Sequence, residues 1–185
     1  MLVSFDLETA GEFVGIVQIS AEICRVEVKP TGKSYTKDKK GAVSRGDLTF
    51  NEYVNPKSDM DWDPQTVRTH GLNPADPRIV SADEIDVVWE RFVSWIKANI
   101  AEDETGILVA WNGKASDLKW LWKLTQAPGT HLLMPCQIEF FIDPSNTVSG
   151  RSWAAPRVRS PSAGCVGRRV MIVMHEIVHF IVICH

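Results

Sequence analysis

Val3-Ser4-Phe5-Asp6-Leu7-Glu8-Thr9-Ala10-Gly11 is the stretch on which the fold turns. Successive residues of a strand point to opposite faces. Val3, Phe5 and Leu7 therefore line one face, and Ser4, Asp6 and Glu8 line the other. The apolar face predicts burial, and the glycine behind it predicts a turn. Two bare carboxylates side by side at the end of a buried strand repel each other and resist desolvation. A divalent cation with a preference for oxygen ligands, Mg2+ or Mn2+, resolves both costs. A pair of exposed acids on an edge strand is the plainer account. Their place at the strand's C-terminal end, just before a glycine turn, favours the metal site.

Outward from that strand, Gly11 and Gly15 bracket a turn, and the β-branched residues between Val14 and Val28 predict a second strand. Residues 29–46 break the pattern with Pro30, Gly32, Gly41 and Gly46 among Lys29, Lys33, Lys37, Lys39, Lys40 and Arg45, as in a long solvated hairpin loop. That charge reads either as plain solvation or as an arm touching a phosphate backbone. Leu48 to Val54 alternates again and closes at Asn55-Pro56, so three strands form an antiparallel meander. Helical patterns follow. Pro64 to His70 is a short helix stopping at Gly71. Ser81-x-x-Glu84 has the form of a capping box at the head of a longer helix. In that helix Ile85, Val88, Trp89, Phe92, Trp95, Ile96 and Ile100 recur at helical spacing. Gly106 leads into Ile107-Leu108-Val109-Ala110-Trp111, a short apolar run suited to a buried strand. Residues 114–125 return to helix, with Leu118, Leu121, Trp122 and Leu124 apolar. This order predicts a mixed α/β sheet.

The chain has 185 residues, 44% apolar and 23% charged, which suits one globular domain and excludes a disordered chain. Its 20 Lys+Arg against 23 Asp+Glu leave a net charge of −3. That excludes a generally basic nucleic-acid coat but not a local basic patch. No apolar run reaches the roughly 20 residues of a membrane span, and the first residues show no charged-then-apolar leader. An intracellular protein, cytoplasmic or nuclear and without a membrane partner, is expected. Cys24, Cys136, Cys165 and Cys184 form no C-x-x-C pair, so neither a disulfide frame nor a zinc ribbon is expected. Beyond about residue 148 the composition shifts: residues 149–169 hold five arginines and no acid, which reads as loop. We divide the chain into a domain over residues 1–148 and an atypical tail over 149–185, Arg/Pro/Gly-rich and then apolar from Val170 to Cys184.

Asp117 opens the helix after the buried strand, in Asn112-Gly113-Lys114-Ala115-Ser116-Asp117. There it serves either as an N-terminal acid favoured by the helix dipole or as a third carboxylate converging on Asp6 and Glu8. Asp6-Leu7-Glu8-Thr9-Ala10-Gly11 resembles the first motif of the DEDD (DnaQ-like, RNase H-like) 3′–5′ exonuclease superfamily. Asn112-Gly113-x-x-x-Asp117-x-x-x-Leu121 resembles its second, with Ser116 in place of the usual aromatic residue. His70-Gly71-Leu72 is similar to an H-G-[IL] turn between those motifs and equally suits a helix C-terminal turn. The resemblance spans roughly residues 2–126. It implies an RNase H-like mixed sheet, an antiparallel three-strand meander plus a parallel strand, flanked by helices and incomplete towards its C-terminal end. It also implies that Asp6, Glu8 and Asp117 ligate two divalent ions, Mg2+ or Mn2+. One ion would activate water and the other would stabilise the leaving 3′-oxygen of a phosphodiester. Thr9 would lie against the terminal nucleotide. Asn112 would brace the second motif or touch substrate, and Trp111 would stack a base or pack in the core. The partner implied is the 3′ end of DNA or RNA.

The family's third motif, H-x-x-x-x-D or Y-x-x-x-D, finds no match. After Asp117 the only aspartate is Asp143, with Ile138 where the first form has histidine and Glu139 where the second has tyrosine. Two expectations follow: an exonuclease-like hydrolase, or a catalytically inactive nucleic-acid-binding domain of the same fold. The tail holds a rival constellation. His175-Glu176-Ile177-Val178-His179 has the H-E-x-x-H pattern of zinc metalloproteases, with His185 ten residues after His175. Val182 stands where the three-histidine zincins need glycine. The β-branched flanks favour a strand, in which Glu176 points away from both histidines. A zinc hydrolase acting through this tail is the third expectation.

Overall fold

The computed structural model describes residues 1–24, 27–28, 35–36, 48–58, 60–113, 115–126 and 128–145. Leu2–Thr9 forms β1, and its alternation is the one expected: Val3, Phe5 and Leu7 are buried while Ser4 and Asp6 face solvent. Ile16–Cys24 (β2) runs antiparallel to it, pairing Val3 with Ile23 and Leu7 with Ile19. Thr49–Tyr53 (β5) pairs antiparallel with β2, which completes the meander. The second strand is shorter than its β-branched run suggests. It stops at Cys24, and Glu27–Val28 (β3) pairs instead with Tyr35–Thr36 (β4) in a separate two-stranded ribbon. The expected loop over 29–46 thus contains a strand at 35–36, and its remaining residues lie outside those described.

Gly106–Val109 (β6) lies parallel to β1 on the side away from β2, and Ile138–Ile142 (β7) lies parallel to β6. The sheet order is β5-β2-β1-β6-β7. A three-strand antiparallel meander extended by parallel strands is the RNase H-like arrangement. Parallel neighbours need crossover connections, and helices supply them here. Ile85–Asn99 (α3) lays Val88, Trp89, Phe92 and Ile96 on the apolar face of the sheet. The Phe92 ring sits 5.7 Å from Phe5, 5.4 Å from Phe50 and 5.0 Å from Trp89. Asp117–Thr125 (α4) connects β6 to the segment before β7 and buries Leu121 in the same core.

Three boundaries differ from the sequence reading, each for a local reason. Asp76, with Pro77 behind it, starts a short helix at Pro77–Val80 (α2), its carboxylate accepting from Arg78 N–H. Ser81 closes that helix, its hydroxyl donating to the Pro77 carbonyl at 2.7 Å, and so cannot cap α3. Glu84 is the residue before α3, without a side-chain cap bond, and its carboxylate pairs with Lys57. Finally, α4 begins at Asp117 and not at 114, because the chain before it is held in tight turns, Gly113 N–H donating to Ala110 C=O and Ala115 N–H to Asn112 C=O. Among the described residues no helix is long and apolar enough to cross a membrane.

Candidate active site

β6 covers β1 only along Leu2 to Ser4, so the later backbone of β1 is open on that side. Leu7 N–H fills the gap by donating to Asp117 Oδ1 at 2.8 Å, across 110 residues of chain. The opening residue of α4 is therefore seated at the residue between Asp6 and Glu8. Asp117 is buried, 2% exposed, and its second oxygen accepts from the Ser116 hydroxyl at 2.7 Å. Ser116, which stands where the resembled motif has an aromatic ring, thus orients the carboxylate. That role is not visible from spacing alone.

Asp6 lies on the open face of the sheet, but its carboxyl is partly desolvated, which raises its pKa above the ordinary carboxylate value. Glu8 is raised by burial first and then by the charges of Asp6 and Asp117. Burial also raises Asp117, and the bonds from Ser116 and Leu7 partly offset it. The three acids thus repel one another in a partly desolvated setting, the conflict that a cation relieves. Their donors are all carboxylate oxygens, which suits Mg2+ or Mn2+. The three do not enclose a single position: among the described residues no group of three Asp, Glu, His or Cys side chains closes on a point able to hold a metal ion.

The end of β1 is clasped from the other side by Pro64–His70 (α1). Asp63 caps this helix, accepting from Gln65 N–H at 2.7 Å, and its own N–H donates to Ala10 C=O at 2.9 Å. A side chain on Gly11 would meet Asp63 Cβ at 3.1 Å, and Gly11 has φ 119°, so glycine is required at this approach. His70 accepts at Nδ1 from Leu72 N–H, 3.0 Å, which leaves its Nε2 proton to donate to Thr9 C=O at 3.1 Å. The helix C-terminal turn expected at His70-Gly71 is present. Gly71 is a left-handed cap with φ 75°, and the histidine one residue earlier reaches the site.

Thr9 ends β1 after a register shift between Glu8 and Thr9, with its carbonyl occupied by His70. Asn112 is exposed with φ 54°, and Gly113 behind it is enclosed: a Cβ there would lie 2.5 Å from Ala110 Cβ and 2.8 Å from Phe141 Cζ. The Asn-Gly pair is thus demanded by a left-handed turn packed onto β7. Trp111 is 67% exposed and so is not a core residue. Asp143 follows β7, buried, with Oδ1 accepting from the Ser145 hydroxyl and N–H. Two strand spacings, about 10 Å, separate it from β1. The His175-Glu176-x-x-His179 pattern and the tail over 149–185 lie outside the described residues.

No protein-family model and no curated protein matches the chain. Solved structures with a similar backbone include cell-death related nuclease 4, at 22% identity, TM-score 0.38, over 59% of this chain and 34% of that one. A full-length 3′-exonuclease aligns at 15% identity and TM-score 0.38, over 59% and 44% of the two chains. Exonuclease X in complex with 5′-overhanging duplex DNA aligns at 18% identity and TM-score 0.40, over 80% and 64%. The chain spans less than two-thirds of the length of each.

Proposed function

We propose that this chain is a metal-dependent nuclease that removes nucleotides from 3′ ends of nucleic acid, working through Asp6, Glu8 and Asp117. The observation that carries this reading is the Leu7 N–H bond to Asp117 Oδ1, which seats the second acidic motif against the first. Asp6 and Glu8 would hold Mg2+ or Mn2+ from the strand, with Asp117 pinned from the helix side. When bound, such ions supply Lewis-acid activation of water and charge stabilisation at the leaving 3′-oxygen. Ser116 keeps Asp117 in one orientation. His70, through Thr9 C=O, holds the backbone on which the terminal nucleotide would rest, and Asn112, on the β6–α4 turn, would border it.

The test is hydrolysis of 5′-labelled DNA and RNA oligonucleotides in Mg2+ or Mn2+. Stepwise shortening from the 3′ end, lost in Asp6→Ala and Asp117→Ala, is the expected result. Shortening that persists undiminished in both variants would overturn the assignment. A second reading, nucleic-acid binding without hydrolysis, is favoured by Ile138 and Glu139, which stand before Asp143 where the resembled third motif has histidine or tyrosine. Tight oligonucleotide binding by a wild-type chain that cleaves nothing in either metal would establish it instead.

A further inference from the structure

The exposed flank of α4 carries chemistry that the acids do not use. Lys119 and Lys123, one helical turn apart, both reach for Glu12, at 3.0 Å and 4.0 Å. Lys123 Nζ also lies 4.4 Å from the centre of the Trp120 ring. Elsewhere Arg78 is matched by Asp76, and Arg91 by both Glu52 and Asp83. Here two cations share one carboxylate, which leaves a local excess of positive charge in a domain whose overall balance is acidic. Glu12 sits on the β1–β2 turn three residues after Thr9. It is followed by Phe13, at 80% exposure the most exposed large hydrophobic residue among those described. Trp122, on the same helix, is 49% exposed. The flank adjoins the acid-bearing end of β1 through the β1–β2 turn, since Lys119, in the first turn of α4, reaches Glu12, four residues after Glu8.

We propose that this flank docks the backbone of single-stranded nucleic acid, and that Glu12 is an intramolecular substitute for a phosphate, displaced when the strand binds. An exposed carboxylate hydrogen-bonded to a lysine presents the charge and the acceptor oxygen that a phosphate presents. A solvent-facing ion pair of this kind is weak, so a polyanion making several contacts at once displaces it. Exposed aromatic faces beside lysines suit unpaired bases, which offer a ring face that a duplex conceals. The choice of nucleic acid over another polyanion rests on the nuclease reading above. The docking itself requires no hydrolysis.

The experiment is fluorescence anisotropy of a labelled oligothymidylate and an oligouridylate with the full chain in EDTA, across a salt series. Glu12→Gln is expected to bind several-fold tighter, because the internal competitor loses its charge. The double variant K119Q/K123Q is expected to bind at least tenfold more weakly, with a salt slope shallower by about 1.4, as two lost phosphate contacts on a single strand require. Phe13→Ala is expected to weaken binding at every salt concentration without changing the slope. Thermal unfolding of each variant checks that these exposed substitutions leave the fold intact. Unchanged affinity in the double lysine variant overturns the proposal, as does a polyglutamate peptide that competes as well as the oligonucleotide. Salt-sensitive, lysine-dependent binding by a chain that cleaves nothing supports it while removing the hydrolytic reading. Hydrolysis that proceeds normally in the double lysine variant does the reverse.

Discussion

At the residue scale, each acid of the site sits where its charge is unwelcome, and this has a direct consequence for stability. Raised carboxylate pKa values mean that the folded chain holds protons which the unfolded chain has already released. Stability therefore falls as pH climbs from the ordinary carboxylate range through the raised values, and it is fully retained only below that range. Asp6→Asn removes one of the repelling charges. In EDTA at neutral pH it is expected to raise the unfolding temperature by about 2 °C. The gain should vanish in acid, once wild-type Asp6 is itself protonated. Mn2+ should then raise the unfolding temperature of wild type, by mass action on the folded state, and leave Asp6→Asn little changed. Melting curves across pH, with and without the ion, check both parts. A destabilised Asp6→Asn would show that the carboxylate is stabilised by a local partner and not strained.

At the element scale, two connections hold the site's backbone, and each offers a substitution with a geometric rationale. His70 is fixed in one tautomer, accepting at Nδ1 from Leu72 N–H and donating its Nε2 proton to Thr9 C=O. His70→Ala removes two part-buried bonds worth about 1 kcal/mol each, and is expected to lower the unfolding temperature by about 4–8 °C. If the chain is the nuclease proposed above, its turnover should fall further than that stability change explains, because the end of β1 is no longer anchored. A loss confined to melting, with turnover intact, would reduce α1 to a stabilising cap. Gly113→Ala forces a methyl group into Ala110 and the Phe141 ring, at 2.5 and 2.8 Å. Overpacking of this kind costs about 1–3 kcal/mol and displaces the turn that delivers Asp117, which urea unfolding together with an activity assay would reveal. Asn112-Gly113 was legible only as part of a resembled motif, and the structure supplies its local reason, a left-handed residue followed by one with no room for a side chain. The role of Ser116 was hidden, since a serine beside an aspartate has many uses and only the fold aims its hydroxyl at Oδ2.

At the scale of the whole molecule, what could be read from sequence is what one element determines by itself. The alternation of β1, the apolar stripe of α3 and the Gly71 stop each follow from local periodicity or backbone chemistry. β7 escaped notice because Ile138-Glu139-Phe140-Phe141-Ile142 lacks strict alternation, and its place at the sheet edge depends on β6 being there to receive it. Ser81 misled because a capping box and a helix C-terminus draw on the same residue type, and Asp76-Pro77 upstream decided between them. The architecture also divides its apolar residues into two clusters. The larger centres on Phe92, between the sheet and α3; the smaller gathers Ala10, Val17, Trp62, Leu72 and Ile79 behind the α1 clasp. They should fail differently. Phe92→Ala, which loses four aromatic neighbours, is expected to cost about 3–5 kcal/mol of global stability and to accelerate amide exchange throughout the sheet. Trp62→Ala should act first on the clasp. The amides of Asp63, Leu72 and Ala10, held respectively by Ala10, His70 and Gly15, are expected to exchange faster while those at the centre of β1 and β2 keep their protection. Native-state hydrogen exchange distinguishes the two patterns. If Trp62→Ala instead released every amide together, the clasp and the sheet would be one cooperative unit, and the acid-bearing end of β1 could not loosen without unfolding the domain.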